Sequence, residues 1–327
     1  MARFLTRRLL LIPVSLFAVI LLTYGYAHVV QWEYAQRYPQ LYYRLAVTHQ
    51  RPESLLEAYR EYLPELLHFN LGSLQNGQPI IEVLGQAIMA SLGLLVVALA
   101  FSIPAGIILG IAASRWTHLR PARWLMLVAT AGLAMPSFYI GSLLILISVA
   151  YALWRGGGHG LPFPLAGFGW DEHMVFPTIA LMLRPTVQIA QVTSTLLTNE
   201  LHKQYSFAAR SFGHSWRTVK RRLAFRNVLA PVVLTVAGSL RMLVTDLILV
   251  EWLFFWPGLG RFLAFALIPS ERTNMASSPY LLDPPFVAAI LVTITALFLV
   301  ADFIASVVVR FFDPRLRVPV QEEVGGV

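Results

Sequence analysis

The sequence predicts an all-α, polytopic membrane protein with six transmembrane helices, and three observations carry that prediction. Hydrophobic residues fill 57% of the 327 positions and charged residues only 13%, about half the charge of ordinary soluble domains. Mean hydropathy is +0.64, and 25 basic plus 17 acidic side chains are too few to cover a soluble chain of this length. The apolar excess is gathered in blocks of twenty or more residues, the length that crosses a ~30 Å hydrocarbon core.

Taken in order, the blocks fall at 9–30, 88–113, 124–154, 176–197, 228–250 and 286–309. The first follows Arg3, Arg7 and Arg8, as the h-region of a signal peptide would. It is longer than such a region and no small-residue cleavage site follows, so a retained span is expected. Between blocks one and two, Glu53, Glu57, Glu61 and Glu65 recur every four residues among Leu55, Leu56, Tyr59 and Leu66. That pattern predicts a short amphipathic helix outside the membrane, and Gly72 and Asn76-Gly77 mark turns after it. Block two carries Ala98, Ser102, Gly106 and Gly110, a small-residue stripe that permits close helix crossing. Pro136 in block three and Pro177 and Pro185 in block four remove backbone donors, which predicts bends there. Between those two blocks, Gly156-Gly157-Gly158-His159-Gly160 reads as a flexible loop. The expected divisions are an N-terminal segment with the first span (1–30), an extracytoplasmic loop region (31–82), the transmembrane core (83–317) and a short tail (318–327).

Orientation follows from the basic residues. Sixteen Lys and Arg lie at the two termini and in the connections after blocks two and four; seven lie on the other side. Both termini are therefore expected in the cytoplasm. The net charge of +8 then faces anionic lipid rather than nucleic acid.

Several chemistries are missing. The chain has no cysteine and no Gly-Lys pair, hence no thiolate site and no P-loop. No His-Glu-x-x-His or Gly-x-Ser-x-Gly occurs and the eight histidines are scattered, so neither a metal site nor an enzyme acting alone is expected.

The connection after block four carries the strongest signal. Tyr205, Ala208, Ala209, Phe212, Trp216, Val219 and Leu223 step by three and four, which predicts one apolar face. Lys203, Arg210, Arg217, Lys220, Arg221 and Arg222 crowd the other. Gly213 interrupts the run and Ser215 is a candidate N-cap for a second helix. From the residues alone, this segment suits either a lipid surface or a cytoplasmic partner; its small residues allow the close approach that only a partner needs. Inside the spans lie Arg184, Arg241, Asp246 and Asp302. Such groups pair between helices or line a polar path. Arg241 and Asp246 are separated by about 140° on an ideal helix and should not pair with each other.

Tyr205-x-x-Ala208-Ala209-Arg210-x-x-Gly213, followed by Arg226-Asn227 and Pro231, resembles the loop motif of type I ABC importer permeases, in their dipeptide, oligopeptide and nickel branch. Arg3 and Arg7-Arg8-Leu9 resemble the start of that branch. Glu251 with Trp256-Pro257-Gly258-Leu259-Gly260 resembles its outer loop before the last span, and Asp313-Pro314-Arg315-x-Arg317 its C-terminal signature. Phe207 stands where the wider family has glutamate, Gln204 where an acidic residue is usual, and Gln31-Trp32-Glu33-Tyr34 where the branch has Pro-Gly-Asp-Pro. The resemblance implies a coupling helix between spans four and five, with Tyr205, Ala208, Ala209, Arg210, Phe212 and Gly213 docking an ATPase. It implies a translocation path including Arg184, Arg241 and Asp246, and an outer loop built on Glu251, Pro257, Gly258 and Gly260. It also implies partners: a second, unlike permease subunit, two cytoplasmic ATPases that hold ATP and magnesium, and an extracytoplasmic binding protein. The location would be a prokaryotic inner membrane, with no cofactor on this chain. The competing reading is a carrier driven by an ion gradient, with Asp246 or Asp302 as its coupling group; inverted repeats would mark it, and none is seen.

Overall fold

A computed structural model describes residues 2–37, 54–68, 70–74, 76–117, 120–156, 161, 163–268 and 280–312, with side chains in the first helix from Leu10 to Glu33. The side chains of Arg3, Arg7, Arg8 and Tyr34, the residues Glu53 and Gly157–Gly160, the Asp313-Pro314-Arg315-x-Arg317 motif and the tail lie outside the described residues.

Helix α1 (Ala2–Arg37) lies against the last helix, α10 (Pro284–Phe312). The predicted amphipathic helix is α2 (Leu55–Leu67), N-capped by Ser54, whose Oγ accepts from the Glu57 amide. Glu57, Glu61 and Glu65 are exposed. The buried side is Ala58 and Tyr62, whereas Leu56 points outward at 71% exposure. Tyr62 stacks on Tyr24 of α1 with centroids 4.1 Å apart, and the Tyr59 hydroxyl donates to the Leu21 carbonyl. Stacked tyrosines, with Leu66 packed in the same cluster, therefore fasten α2 to α1. Gly72 and Gly77 both take positive φ, as their turns require.

Helix α3 (Ile80–Ala113) packs against α6 (Val175–Leu201), and this is the most extensive helix pairing among the described residues. The small-residue stripe is the reason. A Cβ on Gly106 would sit 2.7 Å from Ile189 Cβ and 2.8 Å from the Thr186 carbonyl; one on Gly110 would sit 2.6 Å from Thr193 Cβ. Ala98 and Ser102 are fully buried on the same side.

Block three is two helices rather than one span. α4 (Arg123–Ala134) ends at Met135, and Pro136 caps α5 (Ser137–Trp154). The residue before a proline is driven out of the helical region, and Met135 is extended at ψ 125°. α6 lies inside the bundle, touching α3, α4, α5 and the long helix α8 (Trp216–Leu253). Among the described residues, five helices are long and apolar enough to cross a membrane: α1, α3, α5, α8 and α10. α6 is long enough but more polar, with Thr178, Thr186, Thr193, Ser194 and Thr198 all buried. A helix covered by protein does not need an apolar exterior. Two further short α-helices are α7 (Gln204–Ser211) before α8 and α9 (Leu259–Leu267) after it.

Candidate functional site

Helix α7 is held from below by Glu200, the penultimate residue of α6. Lys203 Nζ pairs with Glu200 Oε1, the Tyr205 hydroxyl donates to Oε2 at 2.6 Å, and Asn227 Nδ2 reaches Oε2 at 3.3 Å and the Tyr205 oxygen at 3.1 Å. Ser206 Oγ donates to the Glu200 carbonyl at 2.9 Å. Burial first, then the Glu200 carboxylate, holds the Tyr205 phenol above its ordinary value. The helix closes on a 6→1 bond from the His214 amide to the Ala209 carbonyl and a 5→2 bond from Gly213 to Arg210. Gly213 takes φ +87° in open space, so its glycine answers to backbone conformation and not to room. Ser215 caps the next helix as expected, accepting from the Thr218 amide at 3.2 Å.

The single apolar face is not found. Ala209 and Trp216 turn partly inward and Val219 is buried, but Ala208 is exposed and Phe212 is 84% exposed. Phe207 is 49% exposed. The turn at Gly213 redirects the chain, and a π-turn at Val219–Ala224 shifts the register, so spacing counted across both does not describe one face. Arg210 lies over the Trp216 ring at 5.3 Å and donates to the His214 carbonyl. Lys220 is not on an exposed basic face: it reaches inward to the end of α3.

Within the bundle the charged groups pair between helices. Arg184 on α6 makes a two-pronged contact with Asp246 on α8, at 2.8 and 3.0 Å. Arg241 on α8 lies 3.0 Å from Asp302 on α10. Arg241 and Asp246 face different neighbours, as their separation requires. Both carboxylates proposed for a carrier thus have arginine partners.

At the far end of α8, Glu251 is fully buried. Ser91 of α3 donates to its Oε1 at 2.6 Å, and the Gly260 amide to its Oε2 at 2.7 Å; Ser91 Oγ in turn accepts from the Leu259 amide at 2.9 Å. Trp256, also fully buried, donates to the Ala90 carbonyl at 3.0 Å. A Cβ on Gly258 would strike the Glu251 carboxylate, and one on Gly260 the backbone of Ile248. Pro257 is half-buried between them. Phe255 occupies the left-handed region at φ 53°, the position helices usually end with glycine. Four sequence-selected residues thus form one tight turn that joins α3, α8 and α9.

The model of the family described as "Binding-protein-dependent transport system inner membrane component" matches residues 102–318, which contain α6, the α7 loop, the ion pairs and the far-end turn. The chain belongs to this family. A Brucella abortus protein named for a peptide transport system permease is 30% identical over 263 residues, 79% of this chain and 78% of its own length. A glutathione transport system permease protein of Escherichia coli is 24% identical over 266 residues, covering 81% and 80%. A dipeptide transport system permease protein of Lactococcus lactis is 24% identical over 322 residues, covering 97% and 100%. This is a type I ABC importer permease of the peptide branch, a multi-pass membrane component and not itself an enzyme. Sequence reasoning missed Glu200 and the inward course of Lys220; a carboxylate five residues before Tyr205 was the available signal for the first.

Proposed function

We propose that this permease is one membrane-spanning subunit of an ATP-driven importer of peptides or related small solutes, providing half of the translocation path and one ATPase-docking loop. The observation that carries the reading is the presentation of α7. Phe207 on the helix and Phe212 at its C-cap are exposed, and the base of the helix is fixed by Glu200, Tyr205 and Asn227. Exposed aromatics on a preorganised backbone suit insertion into a protein groove, because little freedom is lost on binding. ATP and magnesium would sit on two cytoplasmic partner chains, with no cofactor here. A second, unlike permease and an extracytoplasmic binding protein would complete the assembly.

In this reading α6 is the fourth of six spans, an interior one, and both termini lie on the cytoplasmic side of a prokaryotic inner membrane. Residues 31–82 lie outside, 83–317 form the core and 318–327 a tail. Closure of the ATPases, pressing on Tyr205, Ala208, Ala209, Arg210, Phe212 and Gly213, would rotate α6 and α8 together. Arg184, Arg241 and Asp246 would border the path, where exchange of ion-pair partners accompanies alternating access. The names of the relatives support peptides as the solute class.

Purification from the native membrane in mild detergent, followed by mass spectrometry, tests this reading. Recovery with P-loop ATPases and a second permease is expected. Recovery of a monodisperse chain alone would contradict it.

A further inference from the structure

Of the helices nearest the docking loop, α6 and α8 are covalently continuous with it, but α3 is not. α3 ends at Ala113; Ile107 and Ile111 share an apolar cluster with Val219 and Trp216, and one side chain of the loop bonds the end of α3 directly. Lys220 Nζ donates to the carbonyls of Ile111 at 2.9 Å and Ser114 at 2.7 Å, across more than a hundred residues of sequence. These are end-of-helix carbonyls, which lack backbone amide partners and carry the negative end of the helix dipole; the Ser114 hydroxyl also donates to the Ile111 carbonyl, at 2.8 Å. Lys220 sits in the π-turn Val219–Ala224, where the Phe225 amide bonds the Lys220 carbonyl. Such an insertion re-aims a side chain that a regular helix would point elsewhere, and π-turns concentrate at functional positions. Beside it, Trp116 after α3 stacks on Trp216 of the loop, with centroids 4.8 Å apart and planes 16° apart.

We infer that Lys220 is a positioning residue that makes the end of α3 move as one body with the docking loop, so that force on the loop reaches α3 directly. Beyond that point the Gly106 and Gly110 seam passes the displacement between α3 and α6 without slack, since backbone there is within van der Waals contact. This inference rests on the docking function proposed above. The neutral alternative, a lysine serving only local stability, does not require the link to hold while the transporter changes state.

The chain has no cysteine, so two introduced thiols are its only labelling sites, and a cysteine-intact sample without them supplies the background from partner chains. Labels at Arg217 in the loop and Ile108 on the exposed side of α3 report their separation by electron–electron resonance. The measurement uses the whole transporter, copurified with its partner chains, both nucleotide-free and trapped with ATP and vanadate. The inference predicts one unchanged distance in both states for the wild type and for Lys220→Arg. With Lys220→Met, or with Lys220→Gln should the methionine variant fail to fold, the distance shifts on trapping while the ATPases still copurify. A Lys220→Met or Lys220→Gln complex that keeps the wild-type distance in both states would overturn it, as would a shift in the arginine variant equal to that of the methionine variant. If no ATPase copurifies even with the wild type, the docking reading fails on its own. The link is then decided on the isolated chain, where Lys220→Met must broaden the distance distribution and Lys220→Arg must not.

Discussion

Gly106, Gly110 and Gly213 are glycines for two different physical reasons, and substitution separates them. At Gly106 and Gly110 an added methyl meets Ile189 or Thr193 at 2.6–2.7 Å, so alanine at either should lower stability by about 1–3 kcal/mol through overpacking. At Gly213 there is space but φ is +87°, and alanine should cost about 1 kcal/mol for the left-handed backbone. Asparagine, which tolerates that region, should cost less at Gly213 but more than alanine at Gly110; thermal melts in detergent check the crossover. The stripe and the interrupting glycine are legible in the sequence because each is a local pattern. Glu200 is legible in part, since Lys203 and Tyr205 lie within five residues of it and only Asn227 is distant. Lys220 is not, because its partners lie 109 and 106 positions away and nothing local distinguishes it from a surface charge. The same holds for the in-span charges: the separation of Arg241 from Asp246 is legible, but the choice of Arg184 as the Asp246 partner depends on how α6 and α8 pack. Removing Arg184 alone should destabilise by on the order of 3 kcal/mol, since it strands a buried carboxylate. Arg184→Met combined with Asp246→Leu should recover most of that loss in a melt. If the pair borders the path, uptake of labelled dipeptides stays impaired in the double variant; recovery of uptake along with stability would remove it from the path.

Elements depart from their sequence patterns where tertiary contacts or prolines override periodicity. Pro136 marks a bend in the pattern and a complete break in the structure, since no α-helical residue bridges Met135 and Pro136. The α2 periodicity gives the right helix, but it is the tyrosines that hold it, through stacking that hydrophobic spacing does not encode. α10 is preceded by Asp283, whose carboxylate accepts the Phe286 amide at 3.0 Å. Burial pushes that carboxyl up to about 6 from an ordinary 3.8, against the lowering effect of its amide bond. A raised carboxyl favours the folded state when protonated. Its contribution is fully present below pH 3.8 and lost as pH rises through about 6. The melting temperature should therefore fall across that window, and Asp283→Asn, which keeps an N-cap acceptor, should flatten the fall. An unchanged pH profile in the asparagine variant would assign the slope to other groups.

Across the whole molecule, three structured centres lie at different levels along one helix. α8 begins in the docking loop, carries Asp246 and Arg241 to α6 and α10, and ends in the Glu251 turn that grips α3. In the importer proposed above, a continuous helix fixed at three points would pass motion from one membrane face to the other. The central claim is that the outward aromatics of α7 meet a nucleotide-binding partner. The most direct measurement replaces Phe212, 84% exposed, with a photo-crosslinking benzoylphenylalanine in native membranes and sequences the adduct. The account predicts a cytoplasmic protein with a Gly-x-x-x-x-Gly-Lys-Ser/Thr motif crosslinked at that position. Adducts to lipid alone, with an ATPase absent, would contradict it.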